Sequence, residues 1–406
     1  MTHEQQSDKC RSEKQQSAEQ QSIDDSFMRR ALDLARNGCG WTNPNPMVGA
    51  VIVKDGRIIG EGWHTKCGNL HAEREAFAHC SEDPQGATLY VTLEPCCHWG
   101  KTPPCTETII KHNIARVVMG SPDPNPLVAG KGINQLREAG IEVSENVLLQ
   151  ECLDINKVFF RFIQTKRPYV VVKYAMTLDG KIATKTGASQ WITGESARAH
   201  VHTQRHRFSA IMVGIRTVLS DDPMLTARLD EGKDLITSWK TESAFMEDPF
   251  PDRSLSNNPI RIVLDSSLQI PLHAKLVTTA KEIPTIIATL NTNENRIAQL
   301  QACGCEVIVT RSCNGKVDLQ DLMGQLGQRG IDSVYVEGGA TVHAALIESG
   351  LVDEVHAYVA PKIFGGRKAP GPVGGEGVEV PAEAMQFVKV TSKQFGQDFL
   401  FECEVS

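Results

Sequence analysis

From Asp24 onward, apolar positions fall either on helical faces or in short continuous runs. Phe27, Ala31, Leu34 and Ala35 share one helical face, and Asp24, Asp25 or Ser26 can cap that helix. Strand-like runs follow at 48–53, 58–60, 88–92 and 115–119, with helical stretches beginning near His71, Cys105 and Gly132. A helical segment from about 148 to 164 leads into Thr165-Lys166-Arg167-Pro168. A second series of strands then opens at 169–175 and continues at 210–213, 259–264, 285–289, 306–310, 333–336 and 354–359, again interleaved with helices. Such alternation predicts two α/β domains, 24–166 and 167–406. Two segments fit neither period. Residues 1–23 are rich in Gln, Ser, Glu and Lys, with almost nothing apolar to offset the entropy of ordering, and a disordered tail is expected. The polar stretch 230–258 reads as a surface insertion.

Length agrees with this division, since 406 residues make roughly two to three domains at the usual 100–200 residues each. A net charge of −7 leaves no basic field for a polyanion, so nucleic acid is not an expected partner. A local pocket for one phosphate remains open. No run reaches the ~18–20 apolar residues of a membrane span, and no basic segment leads into an apolar stretch at the N-terminus, so a cytoplasmic protein is expected. Twelve cysteines are too dilute for a disulfide scaffold and read as reduced thiols or metal ligands.

The most informative chemistry lies in His71-Ala72-Glu73 and in Pro95-Cys96-Cys97-His98-Trp99-Gly100-Lys101-Thr102-Pro103-Pro104-Cys105. One imidazole and two thiolates hold zinc and leave a fourth position for water, the open arrangement of a catalytic site. Zinc lowers the pKa of that water to about 7, and a carboxylate beside it can carry the proton to a departing nitrogen. His71, Cys96 and Cys105 are the expected ligands and Glu73 the proton carrier. Both halves of the motif look like helix starts, and prolines before Cys105 suit one. Cys97 and His98 compete as ligands, although a residue adjacent to Cys96 points elsewhere on an extended chain. His-x-Glu with a following Pro-Cys is the signature of zinc nucleobase deaminases. That signature usually closes with two residues between the thiols, whereas here eight intervene.

The long spacer, with Asn45-Pro46-Met47-Val48-Gly49 upstream and Asp123-Pro124-Asn125-Pro126 downstream, resembles the deaminase half of the bifunctional riboflavin-biosynthesis deaminase-reductases. That resemblance implies substrate contacts from Asn45, His64 and Lys101. Further on, 173–183, 189–193, 214–228 and the turn Glu337-Gly338-Gly339 resemble the reductase half, so the likeness covers nearly all of 24–406 in order. Taken alone, the Gly338-Gly339 turn reads as a plain strand-to-helix connection, because Gly-x-Gly-x-x-Gly is absent. Within the family it lines a nucleotide site.

The resemblance implies an N-terminal cytidine-deaminase-like domain followed by a dihydrofolate-reductase-like α/β domain, with one Zn2+ and NADPH as cofactors. Ser189, Arg205, Leu225, Arg228 and Glu337 would then hold the reductase substrate. Guanidinium forks such as those of Arg205 and Arg228 also suit a ribose phosphate on chemical grounds. Ala175, Trp191, Thr217, Asp221, Ser266, Gly339, Ala340 and Thr341 would line the cofactor site, although Trp191 also reads as plain core. The implied reactions are hydrolytic deamination of 2,5-diamino-6-(5-phosphoribosylamino)pyrimidin-4(3H)-one and NADPH-dependent reduction of its ribosyl chain. A homo-oligomer, dimer or tetramer, is expected. Two rival readings are a nucleoside or tRNA deaminase fused to an unrelated reductase, and a zinc-stabilised nucleotide sensor. The acidic balance opposes the first, and the Glu beside an open metal position opposes the second.

Overall fold

In the computed structural model, which describes residues 3–99, 103–125, 128–229 and 257–406, the chain divides into two compact units, Met1–Gln164 and Thr165–Ser406. Lys101 and residues 230–256 of the polar segment lie outside the described residues. Among those described, no helix is long and apolar enough to cross a membrane.

The first unit is built on β1 (Gly49–Lys54), β2 (Arg57–Trp63), β3 (Thr88–Leu93), β4 (Arg116–Ser121) and β5 (Glu142–Ser144), in the order β2-β1-β3-β4-β5. β1 turns into β2 through Asp55 and Gly56, both at positive φ (50° and 72°), as a two-residue hairpin requires. β3, β4 and β5 run parallel and need crossover helices. The helices of this unit are α1 (His3–Arg36), α2 (Ala72–Ala78), α3 (Cys105–Lys111), α4 (Lys131–Glu138), α5 (Leu149–Ile155) and α6 (Lys157–Thr165), of which α3 crosses from β3 to β4 and α4 from β4 to β5. Met28, Ala31, Leu32 and Leu34 of α1 pack with Val51, Trp63, Tyr90 and Val118 in one core cluster. Ala72, Ala76, Ile109 and Leu136 join Ile52, Leu89 and Val117 in another, so both sheet faces are covered. Each fully buried aliphatic side chain contributes roughly 1.5–3 kcal/mol. A Cβ at Gly49 would lie 1.9 Å from the Ala31 carbonyl oxygen, so α1 docks here only against glycine.

Two expectations are corrected. The segment 1–23, expected to be disordered, is helical from His3 as part of α1. It contains no Pro or Gly, and Gln20 and Gln21 donate to Asp24 and Asp25 one turn on, at 3.0 and 2.9 Å. Once residues 28–35 are docked, adding turns avoids the cost of a new nucleus. The single helix expected over 148–164 is two helices parted at Asn156. The Asn156 amide accepts from the Met47 N–H and donates to the Met47 carbonyl, both at 2.8 Å, so a contact distant in sequence sets the break.

The second unit carries a nine-stranded sheet in the order β10-β9-β8-β7-β13-β6-β14-β16-β15. Its strands are β6 (Tyr169–Thr177), β7 (Ala210–Gly214), β8 (Ile260–Leu264), β9 (Thr285–Thr289), β10 (Glu306–Val309), β13 (Ser333–Gly338), β14 (Glu354–Ala360), β15 (Phe387–Phe395) and β16 (Asp398–Val405). A small ribbon, β11 (Ser312–Cys313) with β12 (Lys316–Val317), stands apart. The seven strands from β10 to β14 are parallel, and β16 and β15 close one edge antiparallel. Parallel strands are covered on both faces, which explains unbroken apolar runs such as Val170-Val171-Val172, all buried. The helices are α7 (Glu195–Arg207), α8 (Ile215–Asp221), α9 (Lys275–Thr278), α10 (Glu294–Ala302), α11 (Leu319–Gln328) and α12 (Ala340–Glu348). β13 enters the sheet between β6 and β7 although it follows both by more than a hundred residues.

Candidate active sites

Every prospective metal ligand of the first unit stands where an element begins or ends. His71 caps α2 in extended backbone (ψ 158°), and its carbonyl accepts the Glu75 N–H at 3.0 Å. Cys105 opens α3 directly behind Pro104. Cys96 lies beyond the end of β3, and its sulfur accepts the Cys105 N–H at 3.3 Å. His71 Nδ1 is 3.4 Å from the sulfur of Cys96 and 3.4 Å from that of Cys105. All three ligand atoms fall within 4.8 Å of one another, and neither Cys97 nor His98 belongs to the group. Tetrahedral bonds of about 2.0–2.1 Å to nitrogen and 2.3 Å to sulfur separate those atoms by roughly 3.5 Å. The donor set therefore fits a zinc ion with one position left over.

The hydrogen bond from the Cys105 thiol, working against burial, draws the Cys96 thiol down to about 4. Cys105, which donates that bond and is buried, is pushed well up. Burial, followed by the charge on Cys96, raises the carboxyl of Glu73. A buried carboxyl poised to hold a proton beside an open metal position is the chemistry of a proton shuttle.

Next to this cluster, His64 Nδ1 lies 2.9 Å from the Leu70 carbonyl oxygen and Nε2 lies 3.2 Å from Asn45 Nδ2. A carbonyl only accepts, so the ring proton is assigned to Nδ1 and Nε2 accepts from Asn45. Burial lowers the His64 pKa, in keeping with this neutral form. Asn45, His64, His71, Glu73 and Cys96 all face a cavity of about 300 Å³. Asp123 and Asn125 line it too, and no role was read for them from the sequence. Burial pushes the Asp123 carboxyl up to about 6. Glu94 accepts the backbone N–H groups of Asp123, Gly130 and Gly132 at 3.0–3.3 Å and so pins that loop. The strand-terminal Thr92-Leu93-Glu94 was the available signal.

In the second unit a cavity of about 790 Å³ opens at the carboxyl ends of β6, β7 and β13. Arg205 reaches it from the last turn of α7 and grips Glu337, Nε to Oε1 at 2.6 Å and Nη2 to Oε2 at 2.9 Å. Lys173 Nζ stands 3.7 Å from the same carboxylate. Burial favours the neutral acid, but the charges of Arg205 and Lys173 outweigh it and hold Glu337 at about 2. The fork of Arg205, expected from its chemistry to meet a phosphate, is thus engaged by Glu337. Arg228 lines the cavity with Nη2 at 3.0 Å from His202 Nε2.

Ser189 and Leu225 form further wall of this cavity, Leu225 at a positive φ of 54°. Ala175, Thr217, Asp221 and Gly339 line the same cavity. Trp191 is 62% exposed at its edge, which excludes a core role; the Arg198 guanidinium stacks 4.6 Å from its ring, and Lys362 Nζ donates to its carbonyl at 3.1 Å. Ala340 and Thr341 begin α12 just beyond Gly339. Ser266 is not brought to the cavity wall; its hydroxyl accepts the Val317 N–H at 3.3 Å. Lys173, Arg198 and His202 line the cavity and were missed as site residues. A lone Lys in the apolar run of β6 was the signal for the first. Gly339 has φ +87°, and a Cβ at Gly338 would lie 3.0 Å from Thr217 Oγ1. Side-chain-free backbone leading into a helix N-terminus suits a dinucleotide's phosphates.

Residues 21–121 match the cytidine and deoxycytidylate deaminase zinc-binding region, and residues 168–401 match the RibD C-terminal domain. The riboflavin biosynthesis protein RibD of Actinobacillus pleuropneumoniae is 51% identical over 93% of this chain and 94% of its own length. That of Escherichia coli (strain K12) is 40% identical over 92% of this chain and 97% of its own. Among solved structures, RibD of Acinetobacter baumannii superposes with a TM-score of 0.80 at 35% identity, over 95% of this chain and all of that one. A diaminohydroxyphosphoribosylaminopyrimidine deaminase/5-amino-6-(5-phosphoribosylamino)uracil reductase from Thermotoga maritima gives 0.78 at 37% identity, over 95% and 100%.

Fold and sites together define a two-domain enzyme, a zinc-binding deaminase of the cytidine-deaminase type followed by a reductase. The chain belongs to the RibD family of riboflavin biosynthesis proteins, and its two domains fit Zn2+ and NADPH.

Proposed function

We propose that the first unit hydrolyses the exocyclic amine of 2,5-diamino-6-(5-phosphoribosylamino)pyrimidin-4(3H)-one and that the second reduces the ribosyl chain of the product to 5-amino-6-(5-phosphoribitylamino)uracil. The observation that carries this reading is the buried carboxyl of Glu73, its pKa raised by burial, beside a three-ligand donor set. His71, Cys96 and Cys105 would hold zinc, which when bound supplies an acidified water as nucleophile. Glu73 takes a proton at its carboxylate and returns it to the exocyclic nitrogen, which leaves as ammonia. The Asn45 amide, oriented by neutral His64, meets the pyrimidine edge. By resemblance to the family, Lys101 joins them.

In the second unit NADPH, when bound, supplies the hydride. Arg205, held by Glu337, and Arg228, beside His202, bring the two guanidinium groups of the substrate side, with the ribose phosphate assigned to Arg228. Ser189, Leu225 and Glu337 complete the substrate side. Ala175, Trp191, Thr217, Asp221 and the turn Gly339-Ala340-Thr341 make the cofactor side. We place the enzyme in the cytoplasm as a homo-oligomer. Exposed Val388, Val390, Phe399 and Phe401 at the β15–β16 edge support self-association, and sedimentation of the purified chain tests it.

Incubating the purified protein with the diaminopyrimidine phosphate, without and then with NADPH, tests the assignment. Ammonia should appear in the first arm and NADPH oxidation only in the second. Equal ammonia release from cytidine would refute the substrate.

A further inference from the structure

His202 and Arg205 stand three residues apart on α7, which sets them side by side on the helix face that lines the reductase cavity. His202 is nearly buried there, 6% exposed. Three contacts tie its ring to residues 226–228. Nδ1 lies 3.2 Å from the Thr226 carbonyl oxygen, Nε2 lies 3.0 Å from Arg228 Nη2, and the Arg228 N–H reaches Nδ1 at 3.3 Å.

The groups around the ring decide where its proton sits. A guanidinium only donates, so Nε2 meets Arg228 with a lone pair. The proton of the neutral ring is therefore assigned to Nδ1, where the Thr226 carbonyl accepts it, and the longer contact from the Arg228 N–H is given up. The same carbonyl accepts from Arg205 Nη1 at 3.1 Å. Glu337, Arg205, the Thr226 carbonyl, His202 and Arg228 thus make one continuous hydrogen-bonded chain along the cavity. Glu337 neutralises the guanidinium at one end of it. At the other end, His202 takes one N–H of Arg228 and fixes the plane of the fork.

We infer that His202 is a positioning residue of the reductase, holding the Arg228 guanidinium in the orientation that receives the ribose phosphate. The inference rests on the assignment of that phosphate to Arg228 and adds the group that orders it. A free arginine side chain loses rotamer freedom when it grips a ligand, whereas one anchored through Nη2 has lost it beforehand. The phosphate is remote from the ribosyl carbon that is reduced and is held alike before and during hydride transfer, so the anchoring shows in KM rather than in kcat.

Steady-state reduction of the deaminated pyrimidine phosphate by the full-length, zinc-loaded chain at saturating NADPH tests this with two amides. An Asn amide reaches only the place of Nδ1, whereas the amide oxygen of Gln reaches the place of Nε2 and can accept from Arg228. His202→Asn should raise KM roughly three- to tenfold, for a long side chain left to the ligand to immobilise, and His202→Gln should stay within about twofold of wild type. In an Arg228→Ala background, His202→Asn should add nothing, since its effect passes through that guanidinium. Equal thermal midpoints for the variants separate a binding defect from misfolding. A wild-type KM in His202→Asn overturns the inference. So do effects that multiply in the double variant, which would set His202 directly on the substrate, and a His202→Gln chain as impaired as His202→Asn. If Arg228→Ala alone leaves KM unchanged, the phosphate assignment itself fails, and this inference with it.

Discussion

Arg205 and Glu337, 132 residues apart in sequence, meet through two parallel hydrogen bonds of 2.6 and 2.9 Å in the wall of the reductase cavity. Their side chains are only 14% and 8% exposed, so this is a desolvated pair, and it orders the site only while both partners are present.

Glu337→Gln should therefore leave Arg205 and Lys173 without their counter-charge and destabilise the second unit by about 3–5 kcal/mol. Urea unfolding followed by loss of NADPH binding would measure it; an unchanged midpoint would show the pair to be energetically idle. The pH dependence has a defined sign. The folded pKa of about 2 lies below the ordinary value of 4.5. The stabilisation is complete above pH 4.5 and is lost as pH falls from 4.5 toward 2.

Glu73→Gln should lower ammonia release by at least about 10²–10⁴-fold, because the amide cannot cycle a proton. Zinc content and NADPH-dependent reduction should be preserved. Loss of zinc from this variant would make Glu73 a ligand and refute the shuttle.

Metal analysis of three purified serine variants checks the ligand set. Cys96→Ser and Cys105→Ser should each lose most of the zinc, whereas Cys97→Ser should retain it, since only the first two sulfurs stand 3.4 Å from His71 Nδ1. A zinc-free Cys97→Ser protein would overturn the assignment.

Arg228→Ala should impair use of the phosphorylated pyrimidine by roughly ten- to hundredfold, the loss of about 1.5–3 kcal/mol from a charge-assisted contact. NADPH affinity should hardly change. The opposite pattern in a direct titration would place Arg228 on the cofactor instead.

Local chemistry and local periodicity were legible in the sequence. His71, Glu73, Cys96 and Cys105 declare a metal site because ligand type and spacing carry that information before the chain folds. The buried runs of β1, β3, β6 and β13 declare strands because parallel or central strands must be apolar on both faces. β15 and β16 were missed for the converse reason. β15 is exposed along nearly its whole length and β16 is only partly buried, so neither carries a simple apolar run. Ordering of residues 3–23 was missed because composition reports the entropy of a free segment, whereas this one extends a helix already docked at Met28 and Leu32. Only the tertiary structure decided that Asn156 parts two helices on Met47, that the fork of Arg205 belongs to Glu337, and that Arg216 reaches Thr341. The two contacts of the second unit depend on the order of strands within its sheet, above all on β13 inserting beside β7. Side-chain periodicity along one strand is the same whichever strands become its neighbours.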